Sequence, residues 1–226
     1  MIHTPRRTTA PIGLLRYQQR WTARFARICA GECTGDWATR GAKRVIRDSL
    51  LTITHGKCIY CESTLGVTSE LNVEHYIAKS VRPEISFEWT NLLPACRLCN
   101  GEKGEADHQG RLLKPDDEDP EPFFWIHLGT GELEPHPALN ADQRHRAEET
   151  IRLCKLQRGA LCTGRINMMN RVSRWISRGF MDKDEWNEFC DPKTEYKLVL
   201  RHLLKQKGLA PLADEDRRLF GSGPPF

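Results

Sequence analysis

Two matched cysteine pairs, Cys58-Ile-Tyr-Cys61 and Cys96-Arg-Leu-Cys99, restrict this chain more than any other feature. A Cys-x-x-Cys turn puts two sulfurs on one side of a tight knuckle, and two knuckles complete the four thiolates that a tetrahedral structural zinc prefers. A dithiol redox motif uses one pair only, and core cysteines need no matched spacing. The pattern therefore points to Zn²⁺ held by Cys58, Cys61, Cys96 and Cys99. The segment between the knuckles is longer than in the simplest zinc ribbons, so it must form structure of its own while its ends are tied. Structural zinc supplies on the order of 10 kcal/mol in small metal-dependent units, and this core is expected to need its ion in order to fold.

That segment holds an acid-histidine dipeptide, Glu74-His75, at the end of a short apolar run, and Asn91-Leu92-Leu93 leads into the second knuckle. Both stretches read as short strands. Asn100 follows Cys99 directly; if the chain turns helical after Cys96, Asn100 faces back over the hairpin. One divalent metal then fits between Glu74 and Asn100, with His75 beside it. A lone histidine is usually structural, but a Glu neighbour and flanking knuckles set this one apart. Lys79 and Lys103 either contact a phosphate as point charges or sit as solvated surface lysines.

The run Cys-x-x-Cys, Glu-His, Asn-Leu, Cys-x-x-Cys-Asn-x-x-Lys-Gly resembles the HNH endonucleases. The resemblance implies a ββα-metal core in which His75 is the general base, Glu74 and Asn100 bind the catalytic metal, and Asn91 steadies the loop around the base. Asn100 occupies a position where His also occurs in that family, which makes this the H-N-N variant. Asn is a weaker ligand than His and favours Mg²⁺ or Mn²⁺ over a catalytic zinc. The wider order of basic helices, Cys-x-Tyr-Cys-Glu, Glu-His-x-x-x-Lys-Ser, Trp-x-Asn-Leu-Leu and a Phe-rich hairpin resembles the HNH subunits of Septu-type anti-phage systems, including those attached to retrons. It spans about residues 1–180, with its specific part at 58–104 and with Ala78 where those proteins usually show Pro. This wider resemblance implies a bacterial defence nuclease acting on DNA, or on tRNA in retron-type relatives, beside an ABC-type ATPase subunit (PtuA-like). Two alternatives stay open. A stand-alone restriction-like HNH enzyme would usually add a sequence-reading domain, and a catalytically silent zinc-knuckle module that binds nucleic acid would need neither Glu74 nor His75.

The expected fold is α+β: a zinc-knuckle ββα-metal core at 58–110, a basic helical extension at 1–57, and a hairpin plus helices at 111–226. Residues 1–57 hold eleven Lys/Arg against three Asp/Glu, although the whole chain carries only +4. This basic end is where nucleic acid would first be met; the other reading is a solvated helix face. No apolar run approaches the roughly 18 residues of a spanning helix, and no signal-peptide h-region follows the N-terminus. A cytoplasmic protein without membrane contact is expected. Nine cysteines, four of them spent on metal, suit a reducing compartment. Cys29, Cys33, Cys154, Cys162 and Cys190 read as small buried hydrophobes, or Cys29 and Cys33 as part of a second zinc site.

Along the chain, residues 1–10 look like an unpacked basic arm. A helix from Pro11 turns Leu14, Trp21, Phe25 and Ile28 inward and presents a stripe of Arg16, Arg20, Arg24 and Arg27. A second helix carries Val45, Ile46, Leu50 and Ile53 to a stop at Gly56. The acidic run after Pro115 reads as a solvated loop, with a second metal site as its other reading. A hairpin is expected around Gly129-Thr130-Gly131, with His127 and His136 on it in no catalytic role. Asn140 caps the next helix, and the helix after Gly159 is read with Arg165, Arg171, Arg174 and Arg178 outward. A last helix spans 193–207, and the Gly/Pro tail after Phe220 is loose. No P-loop is present, so energy input would have to come from a partner.

Overall fold

The structure is a computed structural model that describes residues 1–4, 9–66, 70–105, 108, 110–178 and 183–209. Pro11 opens α1 (Ile12–Cys29), whose Leu14 and Phe25 are buried. Thr39 caps α2 (Arg40–Ile53) by accepting from the Ala42 N–H at 3.2 Å, and Ala42, Ile46 and Leu50 form its buried stripe. The four-residue spacing of that stripe keeps all three side chains on one helix face. They pack with Phe87, Trp89 and Leu92 into one buried cluster.

The first knuckle leads into β1 (Leu71–His75), which pairs antiparallel with β2 (Leu92–Cys96), Leu71 lying opposite Cys96 and His75 opposite Leu92. α3 (Arg97–Lys103) follows without a linker, because Cys96 ends the strand and also caps the helix. Strand alternation sends successive side chains to opposite faces. Leu92 accordingly joins the cluster under α1 and α2, while Leu93 and Ala95 join a second cluster built on the knuckles.

That second cluster is completed by the rest of the chain. The hairpin of β3 (Phe124–Ile126) and β4 (Leu133–Pro135), then α4 (Ala141–Leu153), α5 (Gly159–Ser177), α6 (Lys183–Cys190) and α7 (Lys197–Gln206) all contribute to it. Asn140 caps α4 through a capping box with Gln143. The fold is α+β, as expected: a small ββα unit held between a helical pair and a mostly helical C-terminal region. No helix among the described residues is long and apolar enough to cross a membrane.

Four expectations are corrected. Residues 1–4 are not an unpacked arm: Met1 and Ile2 are buried beside the knuckle, and the Thr4 N–H donates to the Pro115 carbonyl at 2.8 Å. The acidic run is not a solvated loop, since Glu121 is 8% exposed and pairs with Arg201 at 3.3 Å and Lys205 at 2.6 Å, and Glu118 pairs with Arg146. Its countercharges arrive from helices distant in sequence, which no local pattern reveals. Arg165 points inward, where it donates to the carbonyls of Gly131 at 3.0 Å and Leu156 at 2.7 Å. The last helix begins only at Lys197, after Tyr196 in a left-handed conformation, and α6 was not foreseen. The tail after Phe220 lies outside the described residues.

Gly131 sits at φ 71°, and a methyl group there would run into the Cys162 carbonyl oxygen, whereas Gly110, at φ 79°, has open space. Gly131→Ala is expected to cost about 3 kcal/mol, strain plus overpacking, against about 1 kcal/mol for Gly110→Ala. Urea unfolding of the two variants checks the difference, and equal midpoints would contradict it.

Candidate functional site

The knuckles bring the sulfurs of Cys58, Cys61, Cys96 and Cys99 within 4.8 Å of one another, all four residues buried. Tetrahedral zinc with bonds of about 2.3 Å separates its sulfurs by roughly 3.8 Å; Cys61 and Cys96 Sγ lie 3.9 Å apart. The Cys96 N–H donates to Cys58 Sγ at 3.2 Å, the Cys99 N–H to Cys96 Sγ at 3.4 Å, and Arg158 Nη2 to Cys99 Sγ at 3.5 Å. Such donors favour thiolate over thiol. Hydrogen bonds from Cys58 and the other thiols hold Cys96 far below the usual thiol range, while burial raises Cys58 and hydrogen bonds within the tetrad raise Cys99. The donor set fits a structural metal. Among the described residues it is the one such group: Cys29 is exposed, and Cys154 and Cys190 are buried as small hydrophobes.

Beside the tetrad, Glu74, His75 and Asn100 line one open cleft of about 620 Å³. β1 supplies the first two, and α3 places Asn100 one turn beyond Cys96. Glu74 is 1% exposed, and burial pushes its carboxyl up to about 7 against the opposing charge of Lys103. Lys103 Nζ stands 2.9 Å from Glu74 Oε1 and donates to the His75 carbonyl at 3.1 Å. The ion pair leaves Oε1 without an aligned hydrogen bond.

His75 Nε2 lies 3.0 Å from the Ser86 carbonyl oxygen. A carbonyl can only accept, so Nε2 carries the proton and Nδ1 keeps its lone pair. Burial, helped by the charge of Lys79, draws this imidazole down to about 4, which leaves it neutral at pH 7. The Trp37 ring meets it edge-on, with centroids 4.6 Å apart and planes at 84°, and Phe87 backs Trp37 at 5.1 Å. The ring is fixed from two sides.

Asn91 does not line the cleft. Its Oδ1 accepts from the Ile77 N–H at 2.8 Å, its Nδ2 donates to the carbonyls of Ile77 and Ile85, and its own carbonyl accepts from the Tyr76 N–H. These bonds close the loop that leaves His75. Lys79 does line the cleft, 3.4 Å from Glu105. Lys103 is corrected: it is neither a phosphate contact nor a surface lysine, because it is 3% exposed and committed to Glu74.

Sequence reasoning missed Trp37, Ser86, Lys43, Arg47 and Arg97, all but Ser86 lining the cleft. Trp37 and Ser86 lie outside the motif and reach His75 through tertiary packing, so spacing carries no sign of them. Lys43 and Arg47 stand four apart on one helix face, which sequence does show, but not that this face meets the cleft. Glu74 and Asn100 together offer a carboxylate and an amide oxygen. Two hard protein donors suit an ion of the Mg²⁺ type, which keeps several waters; one oxygen of the carboxylate, Oε1, already faces the Lys103 ammonium.

Comparison with known proteins agrees with this geometry. The family model for HNH endonuclease matches residues 58–106. Over 66 residues the chain is 42% identical to Septu protein PtuB of Bacillus thuringiensis, covering 29% of this chain and 26% of that protein. It is 25% identical over 170 residues to the "Retron Vc95 putative HNH endonuclease" of Vibrio cholerae serotype O1 biovar El Tor, covering 73% and 82% of the two chains. Protein ea31 of Escherichia phage lambda is 38% identical over 64 residues, 28% of this chain and 21% of that protein. The match thus spans about a quarter of PtuB and most of the retron protein.

Lys103→Met would leave the Glu74 carboxylate buried without its counter-charge. Breaking a buried pair in this way costs about 3–5 kcal/mol, read as a lowered urea midpoint at pH 8. A midpoint equal to that of the wild type would contradict the pairing.

Proposed function

We propose that this chain, which carries an HNH endonuclease domain over residues 58–106, is a metal-dependent nuclease that hydrolyses phosphodiester bonds of nucleic acid, DNA foremost. The observation that carries this reading is His75: neutral, fixed in one tautomer, and lining the same cleft as a carboxylate and an amide oxygen. Cys58, Cys61, Cys96 and Cys99 hold a structural zinc.

His75 Nδ1 takes a proton from water, and the water oxygen attacks phosphorus in line while the bond to the 3′ oxygen breaks. Ser86 keeps the accepting nitrogen free by occupying the other one, and the Trp37 edge limits rotation of the ring. Glu74 and Asn100 would hold the Mg²⁺ or Mn²⁺ ion, with Lys103 steadying the Glu74 carboxylate. When bound, such an ion supplies positive charge to the phosphoryl oxygens and the leaving oxygen. Asn91 fixes the loop after the base, and Lys79 faces the phosphate.

Likeness to Septu PtuB and to the retron protein supports a role as the effector nuclease of a bacterial anti-phage system, beside an ABC-type ATPase subunit (PtuA-like). Cleavage of tRNA, in a retron-type system, is the second reading.

The test incubates purified chain and Mg²⁺ or Mn²⁺ with supercoiled plasmid and with total tRNA, with and without the co-expressed ATPase. His75→Ala is expected to lower cleavage by roughly 10²–10⁴-fold, the usual weight of a general base, with an unchanged circular dichroism spectrum. Full activity in the variant would refute the assignment of the base.

A further inference from the structure

The cleft that holds Glu74, His75 and Asn100 has a lining the HNH domain does not provide: Lys43 and Arg47 of α2 line it together with Arg97 of α3. α2 carries Arg40, Lys43, Arg44 and Arg47, spaced so that all four share one stripe of the helix. Arg40, Arg44 and Arg47 are exposed and Lys43 is half-buried. Arg47 has no ion-pair partner among the described residues, while Lys43 pairs with Asp36 at an exposed, readily displaced contact. By contrast, the arginine stripe of α1 lines no part of the cleft among the described residues, and two of its members are engaged: Arg24 with the Asp36 carbonyl and Arg27 with Glu32.

Seven residues at a rise of about 1.5 Å give the stripe a length of about 10 Å. One strand of a duplex advances about 3.4 Å along the duplex axis per phosphate, so with α2 lying along that axis the stripe spans about three phosphates. The cleft is also lined by Glu70 and Glu105, the latter beside Lys79, and α2 supplies two of its four Lys/Arg side chains, Lys43 and Arg47, the others being Lys79 and Arg97.

We propose that α2 is the backbone track of the substrate: Arg47 and Lys43 hold phosphates next to the scissile one, and Arg44 and Arg40 hold those beyond it. The proposal rests on the nuclease reading of the cleft. Its ligand is the phosphodiester backbone, common to DNA and RNA, and the contacts it makes position the polymer without reading sequence. The N-terminal helical pair is then part of the substrate site and not an appendage to the catalytic unit.

The test uses the full chain bearing His75→Ala, so that substrate binds without being cut. Fluorescence anisotropy measures its affinity for a labelled DNA duplex and for labelled tRNA across a series of KCl concentrations. Adding Arg47→Ala or Arg44→Ala is expected to weaken binding roughly tenfold and to flatten the slope of log K against log[salt] by about one. The pair Lys43→Ala with Arg47→Ala should flatten it by about two. Alanine is a strong helix former, so these exposed replacements preserve α2. Arg174→Ala on α5 controls for overall charge and should leave the slope unchanged. Loss on either polymer supports the track and names the substrate. An unchanged slope for Arg47→Ala and Arg44→Ala overturns it, as does an equal loss for Arg174→Ala. If wild-type chain cleaves nucleic acid while these slopes stay fixed, the track fails alone; if nothing binds, it fails together with the nuclease reading.

Discussion

Four sulfurs that must converge on one ion set the path of everything between Cys61 and Cys96. The two ends of that segment are fixed within 4.8 Å of each other, and a hairpin is the shortest regular way to leave and return. Cys96 carries the consequence further, because it closes β2, contributes its sulfur, and caps α3 through the Cys99 N–H. With that residue held, the axis and phase of α3 are held too. Asn100, one turn on, is thereby brought into the cleft with Glu74 and His75, though neither touches the tetrad.

Burial tunes the two acid-base groups in opposite directions for one reason: a low-dielectric setting penalises whichever form is charged. Glu74 is pushed up to about 7 and His75 down to about 4. Lys103 resists the first shift and contributes to the second, and its ammonium joins the Glu74 carboxylate to the His75 backbone carbonyl. The result is an imidazole that is neutral at pH 7 beside a buried carboxylate paired with an ammonium.

The parts legible in the sequence are those whose chemistry is local. Matched thiol pairs, an acid beside a histidine, a capping Asn140 and the buried stripe of α2 each follow from spacing within a few residues, and the structure places the hairpin and α3 where that spacing implied. What escaped depends on contacts between distant segments. Arg165 looks like a surface arginine until Gly131 and Leu156 supply its partners, and Glu121 like a solvated carboxylate until Arg201 does. Lys103 looks like a phosphate contact until the hairpin folds its carboxylate over it. Trp37 reaches His75 only because α2 packs against the hairpin through Phe87 and Leu92. A sequence states which residues carry charge or rings, and the closed fold decides which of them meet.

X-ray absorption at the zinc edge of the purified chain tests the central claim most directly. The account predicts one zinc per chain in an all-sulfur shell of four ligands at about 2.3 Å. A shell containing nitrogen or oxygen donors, or a folded chain whose thiols carry no metal, would contradict it.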